Sequence, residues 1–172
     1  MVRSIAPLAL ACTFLAACQT GQPPSSTGAV DTHDAMVHIN PAALAIWDVT
    51  NNAMSDEGGL DPALMNEAAW LKIREAAEVM ELHARNMAEA RVLRVGAHND
   101  QVEGFETRAE IQAMIDGDPD GFRALSRQMA DHSRELAAAA RSKDGQQTMG
   151  LAESLSERCQ TCHTRYWEKR TE

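Results

Sequence analysis

A chain of 172 residues suits one domain of ordinary size with room for a leader, and two full domains would be cramped. It is 44% hydrophobic but only 4% aromatic, and Ala, Met and Leu supply most of the apolar mass, a balance that favours helices over sheets. The formal charge of −9, or −10 without Arg3, excludes a nucleic-acid binder, because displacing counterions needs a basic face, and makes anionic lipid headgroups poor partners.

Residues 1–17 carry one basic side chain, Arg3, ahead of an apolar run over residues 5–17 that is shorter than the ~20 residues of a spanning helix. The segment reads as a bacterial signal peptide. It ends in Leu15-Ala16-Ala17-Cys18, which resembles the lipobox of bacterial lipoproteins, a Leu and two small residues before a cysteine that is acylated and becomes the new N-terminus. Residues 18–30 then form a flexible tether: after Cys18 they are mostly Gly, Pro, Ser and Thr, with no charge and no periodicity, and cannot offset the cost of ordering. The folded domain is expected over residues 31–172, on the periplasmic side of the cell envelope. Gln19 after the lipidated cysteine resembles lipoproteins sorted to the outer rather than the inner membrane.

Four helices follow from the 3.6-residue pattern and its punctuation. The first has the stripe Met36, Ile39, Ala43, Ile46 and Trp47 and reaches about Met54; at Asn40-Pro41 it either kinks or restarts with Asn40 as cap. Gly58-Gly59 breaks the chain. Asp61-Pro62 opens a second helix to about Arg94, with Ile73, Ala77, Met80, Ala84 and Met87 as its seam. Residues 96–106 are loop, residues 107–115 a short helix ended by Gly117. Asp118-Pro119 opens the third long helix, with Phe122, Leu125, Met129, Leu136 and Ala140 inward and its end near Lys143. The fourth runs from about Asp144 toward Arg170 with Leu151, Leu155, Cys159, Cys162 and Tyr166 on one side. No segment alternates with period two and no hairpin signal occurs, so the expected fold is all-α: an antiparallel up-down-up-down four-helix bundle whose interior can enclose a flat cofactor.

The last helix contains Cys159-Gln160-Thr161-Cys162-His163. Cysteines three apart share a helical face and can add to the two vinyl groups of one haem, while His163 offers its imidazole to the iron. A structural zinc site needs four ligands, and this chain has no second pair at matching spacing. A thioredoxin-type dithiol would open a helix after a strand. A chance CxxC forming a periplasmic disulfide is the remaining bland alternative. The expected cofactor is therefore one covalently attached haem c, held near the C-terminal helix.

Only nine residues follow His163, so a second iron ligand must come from upstream. A C-terminal CxxCH on the fourth helix of a bundle, with Tyr166 three residues on, resembles the class II cytochromes c, that is cytochrome c′ and its low-spin relatives. The likeness spans about residues 31–170, but only the CxxCH-x-x-Tyr segment is specific. The resemblance implies the bundle fold, a first helix over the distal haem face, a homodimer, and no enzymatic activity. One departure stands out. The family commonly has a basic residue directly after that tyrosine, beside the proximal histidine, whereas this chain has Trp167, flanked by Arg165 and Lys169.

The resemblance leaves two options for the sixth iron position: an apolar side chain and five-coordinate iron, or a methionine from the first helix. Candidates are Met36, His33 and His38. Met36 begins the inward stripe, His33 lies one turn earlier on nearly the same face, and His38 points about 200° away. Met36 is the expected ligand, against the plain reading that it only packs on the ring. Met80 and Met87, with His83 on the same face, read as core. His98 and His132 read as solvated. Asp116, Asp118 and Asp120 resemble a calcium loop but lack its bidentate Glu, and read as turn and helix cap.

Two functions share every residue except the sixth ligand. The first is electron transfer in the cell envelope, with redox proteins as partners, the lipid anchor as the one membrane link and no nucleic acid. The second is a five-coordinate haem that binds nitric oxide or carbon monoxide, as cytochrome c′ does. Peroxidase chemistry lacks a distal Arg/His pair by spacing.

Overall fold

The computed structural model describes residues 28–97 and 105–168. The segment expected to be a signal peptide, Cys18, most of the expected tether, His98 and Lys169 lie outside the described residues. Among those described, five helices run in the order α1 (Thr32–Asn52), α2 (Glu67–Glu89), α3 (Arg108–Gly117), α4 (Pro119–Ser142) and α5 (Gly145–Tyr166). The protein is mostly helical, as its composition predicts.

α1 passes through Pro41 as a single helix. Proline removes one N–H and leaves the carbonyl a turn back, that of Val37, without its usual donor. Val37 is 52% exposed, so water can supply that bond, and Asn40 is not needed as a new cap. The cap is Asp31 instead, whose side chain accepts from the N–H groups of His33 and Asp34.

α2 starts six residues later than Asp61-Pro62 predicts and ends five residues before Arg94. Asp61 does begin a turn, with its carboxylate accepting from Ala63 N at 2.8 Å and its carbonyl accepting from Leu64 N and Met65 N. That turn goes no further. The Asn66 side chain takes the Ala69 N–H and caps the helix proper. At the other end Ala90 is extended, and Arg123 on α4 donates to the carbonyls of Ala90 and Arg91, at 3.1 and 3.3 Å, so the chain leaves the helix with these acceptors satisfied.

The expectation of no strands is corrected here. Residues Ala29–Asp31 (β1) pair in parallel with Val92–Arg94 (β2), in the register Ala29 to Val92, Val30 to Leu93 and Asp31 to Arg94. Two of the residues read as tether are thus in a strand. Three residues are too few to show alternation, which is why the pattern escapes the sequence. Gly96 N donates to the Asp31 carboxylate at 3.0 Å and extends the clasp.

The core runs between the helices along the predicted seams. Ile46, Ile73, Met80, Leu136 and Leu155 are fully buried, and Ala77, Ala84, Ala137, Ala140 and Ala152 lie among them. Met87 is buried as well, so Met80 and Met87 are core residues, as read from their spacing. Leu125 and Met129 are half-buried against the cluster. Cross-helix contacts link the elements: His38 stacks on His83 and Asp48 pairs with Lys72 between α1 and α2, and Arg141 pairs with Glu78 between α4 and α2.

His132 corrects a second expectation. Far from being solvated, it is buried at 6% exposure, and its Nε2–H donates to the Leu151 carbonyl at 2.9 Å, joining α4 to α5. The charges seen around it in the sequence lie on the other sides of α4. Burial holds its imidazole below the usual pKa, with Arg158 acting in the same direction and the Leu151 bond and Glu135 opposing. The unfolded chain therefore takes up the proton first, so this stabilisation is complete above about pH 6.5 and is lost as pH falls toward the depressed folded value. Thermal denaturation at pH 7.5 and 5.5 is expected to show the wild type losing stability on acidification. His132→Ala should cost roughly 2 kcal/mol at pH 7.5, for one hydrogen bond and its packing, and flatten the acid loss. An equally steep loss in the variant would count against this assignment.

Candidate functional site

The seam of α5 continues from Ala152 and Leu155 through Cys159, Cys162 and Tyr166 in steps of three and four. Both cysteines are free thiols, half-buried and packed against the hydrophobic core. Burial raises both thiol pKa values, that of Cys162 to about 11, so they are neutral SH groups near pH 7. This is the reverse of the depressed pKa that a nucleophilic or redox-cycling thiol requires. Among the described residues no group of three or more His, Cys, Asp or Glu side chains could hold a metal ion.

His163 is half-buried one position off that seam. Burial pulls its pKa down, against the opposing charge of Glu168, and favours the neutral imidazole. Its ring meets the edge of Trp167, with centroids 4.7 Å apart and planes at 71°. Trp167 in turn stacks on Phe105 at 4.2 Å and 22°. The sequence left Phe105 in a loop with no role. An isolated bridge pairs Phe105 with Glu168, and Glu106 N donates to the Trp167 carbonyl at 2.9 Å. The helix stops here because the His163 carbonyl receives both Trp167 N and Glu168 N, while the Glu168 carboxylate binds the Gln160 amide and the Thr164 hydroxyl.

Tyr166 is 3% exposed and packs edge-on against Phe122 at 5.2 Å. Its hydroxyl donates to the Asp118 carboxylate at 2.7 Å. Asp118 also caps α4 by accepting from Gly121 N and forms an ion pair with Arg165. The Tyr166 and Arg165 bonds hold the Asp118 carboxyl below the usual range, and burial together with Asp118 pushes the Tyr166 phenol up. Asp118 is thus the helix cap read from the sequence. Arg165, one of the two cations flanking the tyrosine, is turned to it rather than to the imidazole.

Met36 is half-buried in the first turns of α1 and packs on the core. His38 is exposed and engaged with His83, so it faces away from the core as its helical angle predicts. The hydrogen bond joining α1 to α5 is Trp47 Nε1–H to the Ala152 carbonyl, at 3.0 Å. No helix among the described residues is long and apolar enough to cross a membrane.

Comparison with curated proteins and with solved structures returns no match. Comparison with protein families matches the description Cytochrome C' over residues 63–167, from the approach to α2 to the residue after Tyr166. That match covers more than half of the chain and includes the whole CxxCH segment: the chain belongs to the cytochrome c′ family, periplasmic proteins that bind a covalently attached haem c.

Proposed function

We propose that the protein carries electrons in the bacterial cell envelope on one haem c held by thioether bonds to Cys159 and Cys162, with His163 as proximal iron ligand and Met36 as the sixth. The donor set fits the group. Two unpaired thiols lie on one helical face against an apolar core, and a neutral imidazole lies beside them. When bound, the group supplies a one-electron change between ferrous and ferric iron.

The four long helices are read as an antiparallel up-down-up-down bundle. Partner numbers support this: His38 meets His83 and Asp48 meets Lys72; Arg141 meets Glu78 and Arg123 meets the Ala90 carbonyl; Tyr166 meets Asp118 and His132 meets the Leu151 carbonyl. In each of these three pairs, numbers rise on one helix as they fall on the other.

The observation that carries the reading of Met36 is the Trp47–Ala152 bond between α1 and α5. Met36 lies eleven residues before Trp47, and His163 eleven residues after Ala152. Eleven residues are about 16 Å of helix and three turns, within about 20° of the starting face. In an antiparallel pair both steps go the same way from the bond. Met36 and His163 therefore reach the same level on facing sides, where a ligand to each face of one iron belongs. A thioether in the sixth position favours ferrous iron and raises the potential, which suits a carrier better than an open site. Lipidation of Cys18 would hold the protein at a membrane surface, the outer membrane in preference to the inner, near its redox partners.

Three outcomes test this. The purified protein should keep its colour in the pellet after acid-acetone extraction, and Cys159→Ala with Cys162→Ala should abolish haem staining on a denaturing gel; haem recovered in the solvent would sink the covalent attachment. The ferric wild type is expected to show a weak band near the red end of the visible spectrum that Met36→Ala removes while lowering the midpoint potential. A high-spin wild type that takes up carbon monoxide when reduced, and is unchanged by Met36→Ala, makes Met36 a packing residue and favours gas binding. Finally, Cys18→Ser should move the protein from the membrane fraction to the soluble periplasm; a wild type already soluble and without acyl mass refutes the anchor.

A further inference from the structure

Asp118 has one partner more than its structural role requires. Its N–H closes α3 on the Met114 and Ile115 carbonyls, and its carboxylate caps α4 by accepting from Gly121 N at 3.2 Å. The buried Tyr166 hydroxyl donates to the same carboxylate at 2.7 Å. These bonds fix the group in place, and a Cβ at residue 121 would run into it. Arg165 is then added as an ion pair whose arginine side chain is 56% exposed, a contact that contributes little to stability. What it contributes is charge.

That charge lies close to one of the two cysteines. Arg165 follows Cys162 by three residues on α5, and residues so spaced are neighbours on a helix surface, with Cβ atoms about 5–6 Å apart. Tyr166 follows Cys162 by four, and the Arg165 guanidinium carbon is 5.5 Å from the centroid of its ring. The guanidinium is thus held against both the phenol ring and the Asp118 carboxylate, one turn from the Cys162 sulfur. Burial and Cys159 raise the Cys162 thiol pKa while the Arg165 charge opposes them, so the cation is felt at that sulfur.

We infer that Asp118 is a positioning residue for Arg165, and that the two form a compensated charge pair that sets the potential of the haem bonded to Cys162. The inference rests on the thioether reading of Cys162. Nearby positive charge favours the iron state with the additional electron, ferrous, and negative charge favours ferric. The cap of α4 and the Tyr166 hydroxyl both call for a carboxylate at residue 118, which by itself would place a fixed negative charge at the end of α5 and lower the potential. Arg165 cancels that charge, and Asp118 in turn keeps the guanidinium at one place on the helix surface.

The test is potentiometric titration of the haem-loaded protein and its variants Asp118→Asn, Arg165→Gln, Arg165→Lys and the double variant Asp118→Asn with Arg165→Gln. At the wild-type midpoint, Asp118→Asn should raise the ferrous-to-ferric ratio severalfold and Arg165→Gln should lower it severalfold, where a tenfold change corresponds to about 59 mV for one electron. The double variant and Arg165→Lys should lie close to wild type. Opposite signs are the mark of charge, because loosening the end of α5 would move both single variants the same way. Both shifts should shrink in 1 M salt, where screening acts within about 3 Å. Tyr166 is the one tyrosine in the sequence, so ultraviolet resonance Raman bands of the phenol report its bond to Asp118 without overlap from another tyrosine. Arg165→Gln should leave those bands at their wild-type positions while the potential falls. If Asp118→Asn does not fold, the two Arg165 variants decide. Single variants that shift in the same direction, an Arg165→Gln potential equal to wild type, or an Arg165→Lys potential as low as that of Arg165→Gln overturns this inference alone. A wild type without covalent haem on a denaturing gel overturns the attachment reading and this inference together.

Discussion

One carboxylate fastens the chemically active end of the molecule. Asp118 accepts from the Gly121 N–H at the start of α4, from the Tyr166 hydroxyl and from Arg165 at the end of α5. An exposed ion pair between Asp118 and Arg165 would contribute little alone. A carboxylate shared among a helix cap, a buried phenol and a guanidinium does more, because removing it leaves the Tyr166 hydroxyl short of its best acceptor and α4 without its cap. Gly121 is part of the arrangement, since a Cβ there would run into the Asp118 side chain. The last two turns of α5, which contain the CxxCH segment, are thereby held to the first turn of α4, and the T-shaped contact of Tyr166 with Phe122 gives them an apolar seat.

The hydrogen bond of Trp47 does the corresponding work for the first helix. Alanine-rich seams slide easily, because small side chains make shallow ridges and grooves. The core here has many alanines, and a directional bond from Trp47 Nε1 to the Ala152 carbonyl gives α1 a definite level against α5 that packing area alone would leave soft.

Much of this was legible in the residues, and the failures share a cause. The seam of α2 and the cap at Asp118 depend on local periodicity and local hydrogen bonds, which a sequence displays directly. The CxxCH segment was legible for the same reason: all its chemistry lies within five residues. The start of α2 at Glu67 was not, because Asp61-Pro62 and Asn66 are both good starting signals, and burial of Met65 between them decides which turn continues. β1 and β2 were missed because each is three residues long and is stabilised by a partner more than sixty residues away. His132 was misread because its neighbours in sequence are charged while its neighbour in space is the Leu151 carbonyl. The part played by Phe105 likewise appears only when residue 105 is set against residue 167. Long-range partners were invisible wherever one chain alone had to reveal them.

The β1–β2 clasp has a mechanical consequence. Any pull on the chain ahead of Ala29 enters the fold along β1, where it meets the parallel ladder to β2 and then the Asp31 carboxylate bonded to Gly96 N. Met36 lies only five residues beyond Asp31, in the first turns of α1. The ladder is short, but it lies between that load and the helix, so a pull is taken up before it can fray the turns that carry Met36. The fold has a strain relief at its point of entry, like the collar that grips a cable before the joint.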